Sequence, residues 1–303
     1  MSFVDFVIVG AMKSGTTSLA EILSMHPTVC FCKGKEPHFF SKVSDWRGHL
    51  KEYKKLYSPT ESQICGEAST TYTFYPIFGT NPCQALYEFN PNMKLIYIMR
   101  DPVNRIISQY MHRCARGTTR EDSFEKEVLT RPEYINISRY YVQIKPYIER
   151  FGREQVLLLT FEEFISHRNL SLCKVFDFLQ IDSLPSDYDY NIHANKSIGH
   201  YRNSAKVDDF LQSPIVQSVR SLMPEAIAKP VGDIIRKSGR RKVDSKPVVT
   251  KKIEQILRDL VMLDVLEIEK LMGRELNEWT TTKGKGLHPQ SESLTKNMTV
   301  AIE

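Results

Sequence analysis

The chain has 303 residues, of which 41% are hydrophobic and 25% are charged, and its formal net charge is +5. This length and composition are ordinary for a globular protein with a large buried core, and they exclude a disordered or fibrous chain. The basic residues are spread along the chain without a nucleic-acid recognition motif, so the mild positive charge fits anionic ligands and predicts no nucleic-acid partner.

The N-terminal stretch MSFVDFVIVGAMKSG contains an apolar run that is too short for a membrane span. No basic region precedes the run and Asp5 interrupts it, which argues against a signal peptide. We therefore predict a buried strand here and a cytoplasmic protein. The six cysteines show no CxxC spacing, so reduced thiols are expected in that compartment and no metal site is predicted.

Three short apolar runs predict buried parallel strands, at residues 6–9, 95–99 and 156–159. A helical pattern follows each run. Strands that alternate with helices in this way predict an α/β fold with a central parallel β-sheet flanked by helices.

Helices are predicted at residues 17–25, from Pro102 onward and at 138–151. The first of these helices is expected to face the sheet with Leu19, Ile22 and Leu23. Asp101 is predicted to cap the second of these helices, because Pro is favoured at the first helical position and Asp at the residue before it.

The C-terminal part of the chain carries an apolar stripe that predicts a further helix. The stripe comprises Ile253, Ile256, Leu257, Leu260, Leu263 and Leu271. Residues 182–204 are rich in Asp, Asn, Ser and Pro and predict a loop. We predict one domain over residues 1–280 and a polar C-terminal tail over residues 281–303.

A phosphate loop, defined as residues 10–18, joins the first predicted strand to the first predicted helix. Backbone N–H groups and the positive end of a helix bind anions at such a junction. Its candidate ligand-binding residues are Lys13, Ser14, Gly15, Thr16, Thr17 and Ser18.

The phosphate loop departs from the Walker A pattern, in which lysine follows the second glycine. Gly10 and Gly15 have the Walker A spacing, but Thr16 occupies the lysine position and Lys13 precedes Gly15 instead. This arrangement indicates a phosphate site and argues against an ordinary P-loop kinase or NTPase.

A second anion site is predicted after the middle strand. Arg100 follows that strand directly, at the sheet edge where ligands of open α/β sheets bind, and Ser108 follows two helical turns later. Together they could hold a second phosphate by charge-assisted hydrogen bonds. The alternative for Arg100 is a structural salt bridge.

The segments KSGTTSL and IYIMRDPVNRIISQY together resemble the sulfotransferases that use 3′-phosphoadenosine 5′-phosphosulfate (PAPS). Three further segments make the chain similar to the branch that contains the heparan sulfate sulfotransferase domains, and we expect a form without a membrane anchor. They are KEPHFF at residues 35–40, SRYYV from residue 138 and LMGRELNEW at residues 271–279. The resemblance implies a P-loop-like sulfotransferase fold.

The resemblance also assigns roles to residues. It implies that the phosphate loop holds the 5′-phosphosulfate of PAPS, that Arg100 and Ser108 hold the 3′-phosphate, and that adenosine 3′,5′-bisphosphate (PAP) is the product. Two features depart from the family pattern. Ala68 stands where a lysine often follows the glutamate matching Glu67, and the loop that closes over the nucleotide is recognisable only as a candidate at residues 196–202.

The proposed catalytic residues are Glu36, Lys13 and His38. The resemblance implies that Glu36 is the general base, and a carboxylate suits this role when partly desolvated. Lys13 would stabilise the charge that develops on the leaving phosphate. His38 would orient the acceptor or replace Glu36, since in an extended segment the two side chains share one side.

These assignments have alternatives. Glu36 could instead form a salt bridge with Lys33 or Lys35, and His38 could be a packed, hydrogen-bonded imidazole. A nucleotide-binding regulator without activity is the non-enzymatic alternative to a sulfotransferase. The acceptor stays open between a small metabolite, a natural product, a sugar and a carrier-bound acyl chain, and between a hydroxyl and an amine.

Overall fold

The structure is a computed structural model and describes residues 3–74, 80–121, 123–184, 201–202, 241–242 and 246–279. The chain divides into two compact units. The first comprises Met1–Arg105, Glu133–Ala194 and Gln255–Glu303, and the second comprises Ile106–Pro132 and Asn195–Glu254. The predicted tail and most of the predicted loop over 182–204 lie outside the described residues, and the single domain over 1–280 stays a prediction.

The central sheet of the first unit contains five strands. They are β1 (Phe6–Gly10), β2 (Val29–Phe31), β3 (Ile64–Ala68), β4 (Lys94–Met99) and β5 (Val156–Thr160). Their order is β2-β3-β1-β4-β5, and every neighbouring pair is parallel. The parallel α/β sheet predicted from the sequence is therefore confirmed.

Two of these strands were missed by the sequence analysis. β2 has only three residues, and β3 carries Gly66 and the charged Glu67. Neither strand therefore shows the continuous apolar run by which the other three were recognised.

The described α-helices surround this sheet or belong to the second unit. They are α1 (Thr16–Ser24), α2 (Phe39–Lys42), α3 (Leu50–Lys54), α4 (Pro82–Phe89), α5 (Pro102–Arg116), α6 (Phe124–Thr130), α7 (Glu133–Asn136), α8 (Tyr140–Phe151), α9 (Phe161–Ser166), α10 (Arg168–Leu179) and α11 (Lys251–Met272). Two-residue strands β6 (Tyr201–Arg202) and β7 (Arg241–Lys242) pair antiparallel in the second unit. Among the described residues no helix combines the length and apolar character that spanning a membrane requires.

The core of the first unit lies between the sheet and α1, α9 and α10. Leu19, Ile22 and Leu23 were predicted to form the sheet-facing side of α1, and all three are fully buried. Burying such side chains stabilises the fold by about 2 kcal/mol each. This packing fixes α1, and with it the phosphate loop, on the sheet.

The apolar stripe of α11 differs in part from the prediction. Ile256 and Leu257 are buried as expected, but the side chain of Leu263 is 70% exposed. Val265 and Ile268 are buried instead. They follow Leu257 by about two and three helical turns and so lie on nearly the same face, whereas Leu263 lies on another face.

Candidate functional site

The polar residues predicted to act together lie at one edge of the sheet. The phosphate loop follows β1, the KEPHFF segment follows β2 and the residues Ser69–Thr71 follow β3. Arg100 follows β4, and Phe161 follows β5. Because all five strands are parallel, their carboxyl ends meet at the same edge, where ligands of open α/β sheets bind.

The phosphate loop has a backbone that only a small residue tolerates at Gly15. This residue has a φ of +93° and precedes α1 without a side-chain cap. A Cβ atom built on Gly15 would lie 2.7 Å from Cδ2 of Phe161. The first N–H groups of a helix have no partner within the helix, so the entry to α1 offers uncapped donors to an anion.

The side chains of the phosphate loop fit a phosphate group. The hydroxyl of Ser14 is buried and has no hydrogen-bond partner among the described residues. Lys13 is half-buried and has a φ of +69°. A buried hydroxyl without a partner is unfavourable unless a ligand supplies one, so Ser14 supports an anion at this loop.

Arg100 is held at its backbone, while Nε of its guanidinium lacks a partner. Tyr140 Oη donates to the Arg100 carbonyl at 2.7 Å and accepts from the Arg100 N–H at 3.4 Å. The guanidinium lies 4.6 Å from the ring centroid of Phe161, and its Nε atom is buried without a hydrogen-bond partner in the described chain. The salt-bridge alternative therefore finds no support at Nε.

Phe161 supports both halves of the predicted nucleotide site, because its ring lies against Gly15 and under Arg100. Its role was not predicted from the sequence. The available signal was its position as the first residue after a buried strand. Ser108 lies half-buried on α5 in the second unit, and its cooperation with Arg100 stays a prediction.

Asp101 serves as the predicted cap of α5. Its Oδ1 atom accepts from the N–H of Asn104 at 2.8 Å, and its Oδ2 atom is 2.9 Å from Nη1 of Arg258. Both carboxylate oxygens are thus engaged within the protein, which disfavours the role of a magnesium ligand that an NTPase would need.

Glu36 forms the salt bridge that was considered as its alternative role, and it also contacts His38. Lys35 Nζ lies 2.5 Å from Glu36 Oε1 and 2.9 Å from Thr17 Oγ1 in the phosphate loop. The other carboxylate oxygen, Oε2, lies 3.5 Å from His38 Nε2 and accepts from Thr70 Oγ1 at 3.3 Å. One carboxylate therefore connects the phosphate loop to the imidazole.

His38 reaches Glu36 through a backbone that differs from the prediction. The segment was expected to be extended, but His38 has a φ of +53° and lies directly before α2. The chain turns at His38 because α2 begins at the next residue, Phe39, so the segment does not continue in the extended conformation. Proximity of the two side chains is retained.

The imidazole of His38 is also hydrogen-bonded, as its alternative role requires. Its Nδ1 atom lies 2.9 Å from Thr71 Oγ1. Burial, followed by the nearby Lys42, lowers the pKa of His38 below its usual value. A neutral imidazole is thus favoured near neutral pH, and a neutral ring nitrogen can accept or donate a proton.

Glu67 is a fully buried carboxylate that the sequence analysis did not propose as a site residue. Its Oε1 atom accepts from Tyr53 Oη at 2.7 Å and from Tyr72 Oη at 2.9 Å, and its Oε2 atom accepts from Ser69 Oγ at 2.6 Å. Burial raises the pKa of Glu67 from 4.5 to about 7, and the three hydroxyl hydrogen bonds offset this increase only in part.

The raised pKa of Glu67 predicts a particular pH dependence of stability. The folded protein retains a proton on Glu67 where the unfolded chain has lost it, so this contribution to the free energy of unfolding is complete below pH 4.5 and is lost as the pH rises to about 7. The loss should be about 3 kcal/mol. Chemical denaturation of the wild type and Glu67→Gln across this range should show their difference declining with pH, and a constant difference would contradict the prediction.

Comparison with known proteins identifies the family. The sulfotransferase domain family model matches residues 4–241. The chain is 30% identical over 203 residues to heparan sulfate glucosamine 3-O-sulfotransferase 3A1 of Mus musculus and 26% identical over 248 residues to carbohydrate sulfotransferase 15 of Homo sapiens. These alignments cover 63% and 59% of this chain, and 49% and 44% of the relatives, so the chain spans about half the length of these curated relatives.

Solved structures show the same fold. The crystal structure of a sulfotransferase from Alicyclobacillus acidocaldarius superposes with a TM-score of 0.59 and 23% sequence identity, covering 93% of this chain and 100% of that one. The predicted P-loop-like sulfotransferase fold is confirmed by this similarity. Because the family model covers well over half of the chain and includes the phosphate loop, the KEPHFF segment and Arg100, the chain belongs to the sulfotransferase domain family, whose members take the sulfuryl group from PAPS.

Proposed function

We propose that this chain transfers the sulfuryl group of PAPS to a hydroxyl group of a sugar. The observation that carries the proposal is the meeting of three elements at one sheet edge: the phosphate loop, Arg100 and the pair formed by Glu36 and His38. The names of the matched relatives refer to carbohydrate and to heparan sulfate glucosamine, which supports a sugar as acceptor.

In the proposed reaction the acceptor oxygen attacks the sulfur atom of PAPS. The bond between sulfur and the bridging phosphate oxygen breaks, and the acceptor proton passes to Glu36. The products are the sulfate ester and PAP, whose 5′-phosphate keeps the electron pair of the broken bond. Lys13 and the N–H groups at the start of α1 stabilise that new charge, and in-line placement of acceptor and donor supplies much of the acceleration.

The salt bridge between Lys35 and Glu36 is compatible with the role of general base. Lys35 contacts Oε1, so Oε2 is the oxygen proposed to take the proton, and His38 lies on that side. Neutral His38 can orient the acceptor hydroxyl by a hydrogen bond while Glu36 accepts its proton.

The proposed function is tested with PAPS carrying ³⁵S and a pool of acceptors that includes sugars, small metabolites, natural products and carrier-bound acyl chains, with hydroxyl and amine members. Mass spectrometry then identifies the labelled product. Transfer to a sugar hydroxyl would support the proposal, and transfer to another acceptor would change its substrate class. Failure to transfer to any acceptor while PAP binds would favour a regulator without activity.

A binding measurement separates the proposal from a P-loop kinase or NTPase. The proposal expects PAP to bind in the absence of magnesium, because the phosphates meet Lys13, Arg100 and backbone N–H groups. ATP binding that requires magnesium, together with weak PAP binding, would instead support the kinase or NTPase. The cytoplasmic location stays a prediction and plays no part in this test.

Replacing Arg100 with alanine should weaken PAP binding by about tenfold to a hundredfold, the range expected when charge-assisted hydrogen bonds to one phosphate are lost. Affinity for adenosine 5′-phosphate should stay near that of the wild type, because this nucleotide lacks the 3′-phosphate. Isothermal titration calorimetry with both nucleotides makes the comparison.

The matched control is Arg116→Ala, which removes an exposed arginine from the last turn of α5. It should leave both affinities unchanged. Equal losses for the two nucleotides in Arg100→Ala would show that Arg100 supports the fold of the site and does not bind the 3′-phosphate.

A further inference from the structure

Glu67 lies beneath the proposed catalytic segment, and the mechanism above does not use it. It is on β3, it is fully buried, and three hydroxyl groups donate hydrogen bonds to its carboxylate. A buried carboxylate is costly unless such donors compensate it.

Two of these hydroxyls also accept hydrogen bonds from the backbone around the start of α2. Ser69 Oγ accepts from the N–H of His38 at 3.0 Å, and Tyr72 Oη accepts from the N–H of Phe40 at 3.3 Å. N–H groups at the start of a helix have no acceptor within the helix. Ser69 and Tyr72 supply those acceptors.

The direction of these hydrogen bonds depends on Glu67. A hydroxyl group has a single proton, and it can accept from a backbone N–H only with a lone pair. Above its pKa of about 7 the carboxylate of Glu67 is ionised and has no proton to donate, so it draws the protons of Ser69 and Tyr72 toward itself. Their lone pairs are then left to face His38 and Phe40.

The backbone at His38 needs this support. Its φ of +53° is in the left-handed region, which costs a non-glycine residue about 1–2 kcal/mol. The same backbone carries the imidazole whose Nε2 atom lies 3.5 Å from Glu36. Loss of the hydrogen bond to the His38 N–H would therefore allow the imidazole to move away from Glu36.

We propose that Glu67 is a positioning residue, which holds His38 against Glu36 by orienting the hydroxyls of Ser69 and Tyr72. Its kinetic consequence rests on the proposed sulfotransferase function. Glutamine has nearly the same shape but carries an amide NH₂ on one side. In Glu67→Gln that group must face hydroxyls that now donate, so at least one of these hydroxyls has to reverse its proton.

The test measures kinetics and PAP affinity in Glu67→Gln above pH 7, where Glu67 of the wild type is mostly ionised. We expect kcat to fall by about tenfold to thirtyfold, a loss typical of a displaced general base and its partner, with PAP affinity unchanged. Ser69→Ala should have the same effect and Ser69→Thr, which keeps the hydroxyl, should retain activity. The double variant Glu67→Gln with Ser69→Ala should be no slower than Glu67→Gln alone, because both substitutions interrupt the same hydrogen-bond chain from Glu67 through Ser69 to His38.

The control is Glu127→Gln, which alters another fully buried glutamate, one that accepts from the N–H groups of Arg120 and Glu121. It should lower the melting temperature without changing kcat. A parallel loss of kcat, PAP affinity and melting temperature in Glu67→Gln would reduce Glu67 to a purely structural role and overturn the proposal. Independent, multiplicative effects of Glu67→Gln and Ser69→Ala would also overturn it.

One readout does not require the proposed function. The ¹⁵N and ¹H signals of the His38 imidazole should shift in Glu67→Gln and in Ser69→Ala, and they should stay unchanged in Glu127→Gln. If no acceptor is ever found but these signals shift as stated, the positioning by Glu67 stands while the sulfotransferase proposal fails. Unchanged His38 signals in both Glu67→Gln and Ser69→Ala would reject the positioning itself. If Glu67→Gln does not fold, the signals of Ser69→Ala alone decide the question.

Discussion

Replacing Glu36 with glutamine should lower kcat for sulfuryl transfer by about a thousandfold, within the range found when a general base is lost. The amide cannot take the acceptor proton, although it has the same size as the carboxylate. PAP affinity should stay close to that of the wild type, because the proposed phosphate contacts come from the phosphate loop and Arg100. Steady-state kinetics with saturating PAPS and calorimetry with PAP give the two values.

Two comparisons decide what Glu36 does. Glu61→Gln changes an exposed glutamate and should leave both quantities unaltered. Lys35→Met removes the partner of Glu36 while keeping the carboxylate, so it should retain far more activity than Glu36→Gln. If the two variants lose the same small amount of activity, Glu36 acts only as the salt-bridge partner of Lys35, and the assignment of the base is wrong.

Gly15→Ala should weaken PAP binding by about a hundredfold, the equivalent of roughly 3 kcal/mol. One part of this cost is the φ of +93°, which is unfavourable for alanine by about 1–2 kcal/mol. The other part is the new Cβ atom, which would lie 2.7 Å from Phe161 and would force the loop or the ring to move at a cost of about 1–3 kcal/mol. Calorimetry with PAP measures the loss.

Gly273→Ala separates the two parts of that cost. Gly273 has a φ of +66°, and a Cβ atom there would meet nothing within 4 Å. Its substitution should lower stability slightly and leave PAP affinity unchanged. An equally mild effect of Gly15→Ala would show that the loop can move without loss of PAP affinity, and that Phe161 does not fix its shape.

The parts of the fold that the sequence predicted are those with a local signal. β1, β4 and β5 are continuous apolar runs, and the phosphate loop has glycines at a fixed spacing between a strand and a helix. β2 and β3 are strands because they pair with their neighbours: β3 lies between β2 and β1 although it contains Gly66 and Glu67. Such strands are defined by tertiary packing, which propensity does not report.

The candidate site shows the same division. Lys13, Arg100 and Glu36 stand at positions that a motif identifies, and the structure places all three at one sheet edge. Phe161 and Glu67 carry no motif, since an aromatic residue after a strand and a glutamate within a strand are individually unremarkable in a sequence. Their roles depend on contacts between residues far apart in the chain, which only the folded arrangement reveals.

The shared ring of Phe161 ties together two recognition tasks that are otherwise separate. The phosphate loop and Arg100 address opposite ends of the proposed nucleotide, yet the same aromatic surface limits the space at Gly15 and stacks under the guanidinium. A change of donor nucleotide by protein engineering cannot therefore adjust one end alone. Substitutions at Gly15, Phe161 and Arg100 are therefore expected to be non-additive. Libraries that vary the three residues together should yield more active variants than libraries that vary one residue at a time.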